Sequence, residues 1–455
     1  MKIVLIGAGS AQFGFGTLGD IFSSVTLRDS EIALVDIDGD ALGKVYAVAS
    51  DYIAAHSLSF HLSAHTDRLD ALSGADFVII SIEVGNRFEL WDQDWNIPLH
   101  YGIRQVYGEN GGPGGLFHAL RITPPILAIC GDVERLCPDA TVFCYSNPMT
   151  AITTTILRRF PGMKFIGLCH EVASLERYLP RMLGLRFEDL RLRAAGLNHF
   201  SVLVEASYSS GVRAGRDAYP DILAAAPSFF EREPGYSDIW EYAQRTGRIP
   251  ETEGATHRPL IGTTESSRPW SDRKLFKSIL ENFSLLPITS DSHLGEYIPW
   301  AYDVADHAGI LDFYDFYRMS LAAVRPRIEP GRRERVVTIM EGILGDSGYE
   351  ESAVNIMNAG FIPSLPSDIA VEVPALVGRS GMRGIAFPDY PRGFAALLRN
   401  YCGVYDITAE AILRARRDLV IQALLVNPVV GDCAHVGELV DLMLDRQRKW
   451  LSYIH

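Results

Sequence analysis

The first part of the chain is built of short, unbroken apolar runs. Each is followed by a turn of glycine or polar residues and then by helical periodicity. Lys2-Ile3-Val4-Leu5-Ile6 is the first. Its aliphatic residues do not alternate with polar ones, as expected of a strand buried on both faces. A helix is expected over 17–25. Glu31-Ile32-Ala33-Leu34-Val35-Asp36 is a second run, ending in a carboxylate. A helix over 38–56 and a short strand over 60–64 come next. Asp76-Phe77-Val78-Ile79-Ile80-Ser81-Ile82, Thr141-Val142-Phe143-Cys144-Tyr145 and the run 163–168 are further buried strands, and a long helix is expected over 116–136. Strands alternating with helices predict an α/β fold, a Rossmann-like doubly wound parallel sheet with right-handed crossovers.

The pattern changes near Leu190. Residues 190–198 and 201–208 read as two strands. Beyond Asp217 helical patterns dominate, over 218–231, 237–246, 272–283, 303–319, 332–344, 391–401, 408–424 and 433–450. Ser271 or Asp272 is the expected cap of the third of these, and 370–377 reads as a short strand near the site. A mainly helical α+β C-terminal part is therefore expected to be fused to the α/β part.

Composition narrows the class. With 455 residues, 47% hydrophobic and 22% charged, the chain can bury one large or two fused cores. Its formal net charge is −14 and no basic run is present, which argues against a nucleic-acid partner. Six irregularly spaced cysteines do not form a disulfide framework, so a reducing cytoplasm is expected. The N-terminal apolar run is too short for a signal peptide, and no stretch reads as the roughly eighteen apolar residues of a membrane span.

Strand, glycine turn and helix give Gly7-Ala8-Gly9-Ser10 its meaning. The glycines allow a tight turn, and the helix N-terminus offers N–H groups to a pyrophosphate. The third fingerprint glycine is not cleanly placed, because Ser10, Gln12, Gly14 and Gly16 fill that region. Asp36 stands where such domains hold the ribose hydroxyls, which favours NAD over NADP; capping the helix from Asp38 is its other reading. Further strand ends carry Glu83-Val84-Gly85-Asn86-Arg87 and Ser146-Asn147-Pro148. Asn147 reads equally as a turn former and as a contact to nicotinamide and substrate. The glycine-rich stretch 107–115 is expected to approach a ligand closely, with Glu109 as a substrate contact. These motifs divide the chain into an NAD-binding domain over 1–190 and a substrate- and metal-binding domain over 191–455.

Cys169-His170-Glu171-Val172 follows the last strand of the first part, and Asn198-His199 follows later. Thiolate and imidazole together hold transition metals. A buried inert cysteine and structural histidines are the competing reading. The segment 288–300 adds Asp291, His293, Glu296 and Tyr297.

Taken in order, Gly7-Ala8-Gly9-Ser10, Asp36, the loop 108–115, Ser146-Asn147-Pro148, Cys169-His170-Glu171-Val172, Asn198-His199-Phe200 and Ser292-His293-x-x-Glu296-Tyr297-x-Pro299 resemble glycoside hydrolase family 4. That family departs from the two-carboxylate scheme of most glycosidases. The resemblance implies a lactate/malate dehydrogenase-like fold, NAD and Mn²⁺ as cofactors, and a homodimer or homotetramer. It implies hydride transfer from the sugar C3 to NAD⁺, loss of the C2 proton, elimination at C1, addition of water and return of the hydride. By position it implies Cys169 and His199 as metal ligands and Gly7, Gly9, Ser10, Asp36 and Asn147 as cofactor contacts. Glu109, Asn147 and Asn198 face the substrate on this reading. Proton transfer falls to His170 or a water as acid, and to Asp291 or His293 as base.

Within the family, the Cys-His-Glu-Val form resembles that of the α-galacturonidases, with Arg87, Arg268 and Arg273 available to a uronate carboxylate. The expectation is an α-galacturonidase acting on oligogalacturonides or related small glycosides. An α-glucuronidase or α-galactosidase of the same mechanism is the alternative, and a 2-hydroxyacid dehydrogenase or a non-enzymatic NAD sensor the rivals from other classes.

Overall fold

The computed structural model describes residues 1–248, 252–253, 258–259, 268–322, 327–328, 335–432 and 434–455. Six strands run parallel: β1 (Lys2–Ile6), β2 (Glu31–Val35), β3 (His61–His65), β4 (Phe77–Ile80), β5 (Thr141–Cys144) and β6 (Lys164–Gly167). Their spatial order is β3-β2-β1-β4-β5-β6, the order of a dinucleotide-binding sheet with its crevice beside β1 and β4.

The apolar runs are continuous because both sheet faces are covered. Ile3 and Leu5 pack with Leu18 and Ile21 of α1 (Ala11–Ser23) and Leu42 and Val45 of α2 (Gly39–Ala55). Val4 and Ile6 point to the other face, against Ile122 and Ile126 of the helix Gly112–Leu136 and Ile156 of the helix Met149–Arg159. That alternation is the pleat, and each buried aliphatic side chain contributes about 1.5–3 kcal/mol. α3 (Leu69–Leu72) and α4 (Arg87–His100) precede α5 (Gly112–Leu136); α6 (Met149–Arg159) and α7 (Ala173–Leu183) follow. α5 is long and apolar enough to cross a membrane by length and mean composition, but its most apolar window is 67% buried, as in a core helix.

The second half extends the same sheet. β7 (Leu190–Leu197) and β8 (Phe200–Tyr208) form a hairpin, β9 (Thr252–Glu253) and β10 (Arg258–Pro259) a separate small pair, and β11 (Leu286–Pro287) borders β8. β12 (Tyr349–Met357) and β13 (Ala370–Gly378), with β14 (Gly381–Gly384) beside β13, insert between β6 and β7. One antiparallel pairing, Asn355 opposite Gly167, joins the two halves. A Cβ at Gly167 would meet the Asn355 Cβ at 2.9 Å, so that junction needs glycine. β12 escaped the sequence reading because Glu350, Glu351 and Ser352 interrupt its apolar pattern and a register shift divides it at Glu351/Val354.

Two helical expectations change. The patterns over 391–401 and 408–424 are one helix, Arg392–Arg414, followed by Arg417–Leu425. The helix expected from 272 begins at Lys274, and neither Ser271 nor Asp272 caps it. Leu275 and Phe276 instead donate their N–H groups to Asp291, at 2.9 Å each.

Candidate active site

The nucleotide end is built first. Gly7 has φ +89°, and a Cβ there would lie 1.9 Å from the Ser81 carbonyl oxygen. A Cβ at Gly9 would sit 2.7 Å from Asp36 Oδ2, and one at Gly14 2.6 Å from the Ala8 carbonyl oxygen. Gly14 thus supplies the close helix-to-turn packing that the fingerprint's third glycine provides. Asp36 accepts N–H bonds from Gly9 (2.7 Å) and Asp38 (2.9 Å). The helix cap is Asp38, which accepts from Asp40 and Ala41. Ile37, missed in the sequence, is 94% exposed beside Asp36, an apolar platform at this edge. Ser10 opens α1, its N–H bonded to the Gly7 carbonyl.

The chemical centre lies beyond the ends of β5, β6 and β7. Sγ of Cys169, a carboxylate oxygen of Glu171 and a ring nitrogen of His199 lie within 4.8 Å of one another. His199 sits in the two-residue turn between β7 and β8, with φ +61°, a left-handed conformation that costs a non-glycine residue about 1–3 kcal/mol. The ring is 3% exposed, and Nδ1 has no partner. Glu171 Oε2, Asn198 Oδ1 and Asn147 Oδ1 are also buried without partners. Soft sulfur, imidazole and carboxylate with unfilled acceptors are a donor set suited to a divalent transition metal.

Burial shapes these titrations. It pushes the Cys169 thiol well above its ordinary value, and Glu171 and Glu372 add to the rise. Burial, with the nearby His293, holds His199 well below 6.5 and therefore neutral, as a ligand must be. Glu171 is pushed up to about 7, mainly by burial.

A second group faces His199. The rings of His199 and His293 stand edge to face, 4.5 Å between centroids. His293 Nε2 lies 3.5 Å from Glu109 Oε2, and Nδ1 2.9 Å from Ser292 Oγ. Arg87 bonds the other Glu109 oxygen and stacks over Trp91 and Tyr317. Burial disfavours the His293 cation, but the Glu109 bond and the Glu171 and Glu296 carboxylates outweigh it, raising it to about 9.

The glycine-rich loop does come close to something, but that something is protein. Glu296 accepts backbone N–H bonds from Glu109, Asn110 (3.0 Å) and Gly111 (3.1 Å), and a Cβ at Gly111 would meet the Glu296 Cβ at 2.6 Å. Glu296 therefore shapes the loop that presents Glu109.

Among the other sequence candidates, His170 is exposed, its ring stacked on Tyr145 at 5.5 Å. Asn147 precedes a cis peptide to Pro148 at the end of β5. Asn198 is 2% exposed beside His199. Asp291 stands apart from this gathering. It is fully buried and accepts three backbone N–H bonds, from Leu275, Phe276 and Asp306, which leaves it a structural role. Glu372 and Asn355 were missed, because nothing in the local pattern of β13 or β12 marks them.

The arginines expected to read a uronate are already engaged. Arg87 pairs with Glu109 and Glu83. Arg268 bonds Ser237 and lies 3.7 Å from Asp312. Arg273 donates to the Glu233 and Ser271 carbonyls and to the Tyr178 hydroxyl.

Known proteins bear on the same question. The sequence pattern of family 4 glycosyl hydrolases matches residues 2–185, and that of the family 4 glycosyl hydrolase C-terminal domain matches 194–430. An α-glucosidase of Erwinia rhapontici is 60% identical over 453 residues, covering 100% of this chain and 99% of the relative. An α-galacturonidase of Bacillus subtilis is 29% identical, covering 94% of this chain and 93% of its own. A 6-phospho-α-glucosidase from gut microorganisms, solved in complex with NAD and Mn²⁺, superposes with a TM-score of 0.78 at 19% identity over 98% of both chains; it shares the fold. The α-galacturonidase expectation is overturned by the much nearer glucosidase, and the occupied arginines give the physical reason. Glu171, whose identity prompted that expectation, faces the His199 ring at 3.9 Å.

Proposed function

The chain belongs to glycosyl hydrolase family 4, and from that membership we propose that it is an α-glucosidase working with NAD and a divalent metal such as Mn²⁺. The whole-length likeness to the Erwinia rhapontici α-glucosidase carries the choice of sugar. The Cys169–Glu171–His199 cluster carries the choice of chemistry.

The cradle at Gly7, Gly9 and Ser10, with Asp36 at the ribose end, fits a dinucleotide. Cys169, His199 and Glu171 would hold the metal. When bound, the nicotinamide supplies a hydride acceptor and the metal Lewis acidity. Asn147 and Asn198 offer carbonyl oxygens to sugar hydroxyls. Glu109, fixed by Arg87, keeps a proton on His293, which suits His293 to the part of donor to a departing oxygen rather than the base expected from the sequence. His170, at the solvent mouth, is then left the part of base or gives it to a water, the reverse of the sequence expectation. Arg87, Arg268 and Arg273 are spent on protein partners, which suits an uncharged glucoside. The reading also carries a homodimer or homotetramer, which sedimentation of the holoenzyme checks.

The test is a panel of p-nitrophenyl α-glycosides with NAD⁺, Mn²⁺ and a thiol reductant. Hydrolysis of the α-glucoside without net NADH is expected, with solvent deuterium entering C2 of the product. No cleavage of the α-glucoside under any metal would remove the proposal, and steady NADH accumulation would favour a dehydrogenase.

A further inference from the structure

Behind the candidate metal ligands lies a carboxylate that the chemistry above does not use. Glu372 is on β13, opposite Gly196 of β7, and is 3% exposed. Its Oε2 accepts the side-chain N–H of Asn198 at 3.0 Å and that of Asn355, also at 3.0 Å. A carboxylate only accepts hydrogen bonds, so two amides sharing one of its oxygens must both turn their NH₂ groups towards it. Their carbonyl oxygens are then fixed by elimination. Asn198 Oδ1 and Asn355 Oδ1 are both buried without a partner.

Every other polar atom of Asn198 is held. Its N–H donates to Thr150 Oγ1 at 3.2 Å, and its carbonyl accepts from the Tyr297 hydroxyl at 3.3 Å. The Asn198 amide also reaches the Cys169 sulfur as a hydrogen-bond donor. One residue further on, His199 takes up its left-handed conformation.

We propose that Glu372 is the positioning residue of this site: it fixes the Asn198 carboxamide so that N–H is directed to Glu372 and the Cys169 sulfur while Oδ1 remains an open acceptor. Asn355 is held in the same sense from the other side of the sheet junction. The consequence is a wall of carbonyl oxygens that accepts hydrogen bonds. It suits hydroxyl donors and disfavours a sugar carboxylate. Outer groups that orient ligands in this way are worth about 10–100-fold in metal affinity or activity. The inference rests on Cys169 and His199 being the metal ligands.

The test compares Glu372→Gln with Glu372→Asp in the full chain. Mn²⁺ affinity is measured by titration calorimetry, and KM and kcat on p-nitrophenyl α-glucoside, after melting curves establish folding. Glutamine keeps the shape but brings a donor, which lets an amide turn over. Aspartate keeps the charge but shortens the reach. A positioning role predicts Mn²⁺ affinity in the order wild type, Asp, Gln, with Gln at least about tenfold weaker. Gln is also expected to raise KM and to relax discrimination against an α-glucuronide. A packing role predicts the reverse, with Gln close to wild type; that order, or unchanged affinity in a folded Gln variant, overturns the proposal. If the Gln variant does not fold, a folded Asp variant decides. Affinity within about threefold of wild type supports the proposal, and a loss beyond about tenfold overturns it. Control variants Cys169→Ser and His199→Ala separate the two readings. If they leave Mn²⁺ affinity unchanged, the metal site itself is misplaced.

Discussion

Glu109 holds Arg87 on one carboxylate oxygen and stands 3.5 Å from His293 Nε2 with the other. That single side chain couples a cation on α4 to an imidazole more than 180 residues away in sequence, and it decides the charge of the ring facing His199. The coupling sets a pH dependence. His293 is raised from 6.5 to about 9 in the folded chain. A raised folded value means the stabilisation is fully present below about pH 6.5 and is lost as pH rises through about 9. Glu109→Gln should remove most of that dependence, so that melting temperatures at about pH 6 and about pH 9 converge relative to wild type. The variant should also lose about 1–3 kcal/mol overall, because Arg87 gives up its nearer carboxylate and keeps only Glu83, at 3.9 Å. Equal pH slopes in variant and wild type would refute the coupling.

Cys169 is the expected thiolate ligand, yet burial raises its thiol well above the ordinary range in the metal-free chain. Binding a metal must therefore release a proton, and Mn²⁺ affinity should increase with pH. Cys169→Ser should weaken Mn²⁺ by at least about tenfold and flatten that increase. Calorimetry in buffers of different ionisation enthalpy counts the protons; none released would contradict the assignment.

Asp291 accepts three backbone N–H bonds at the start of the Lys274–Phe283 helix and at Asp306. Asp291→Ala leaves buried donors unsatisfied at about 1–3 kcal/mol each. A fall in denaturation midpoint is expected, while protein that remains folded keeps kcat within a few-fold. Loss of all turnover at native stability would return Asp291 to the chemistry.

A Cβ at position 9 would stand 2.7 Å from Asp36 Oδ2. Gly9→Ala should cost about 1–3 kcal/mol of stability through overpacking of the turn, read as a lower melting temperature, and should weaken NAD⁺ in a fluorescence titration. Mn²⁺ affinity measured without nucleotide should not change.

Much of this protein was legible locally. The parallel strands announced themselves because a strand covered on both faces has no room for polar residues. Gly7, Gly9 and Asp36 were legible because a tight turn and a strand-end carboxylate are properties of a few consecutive residues. Cys169 and His199 stood out by chemical type, and the structure brings them together. The partner of each charge was not legible. Arg87 is a free cation in the sequence, but Glu109 and Glu83 hold it. Asp291 has the type of a base, but its carboxylate accepts from a helix that begins seventeen positions earlier, at Lys274. Glu171, in the motif form that points to a galacturonide, faces His199, and nothing around Glu372 in the sequence marks the two asparagines that share one of its oxygens.

Backbone periodicity and turn chemistry are short-range, so the sequence by itself determined the Rossmann-like half, the glycine turn and the residue types of the site. Hydrogen bonds and ion pairs form between whichever side chains the sheet order places within a few ångströms. Only the tertiary structure, by inserting β12 and β13 beside β6, decided which carboxylates are spent on the protein and which remain for the reaction.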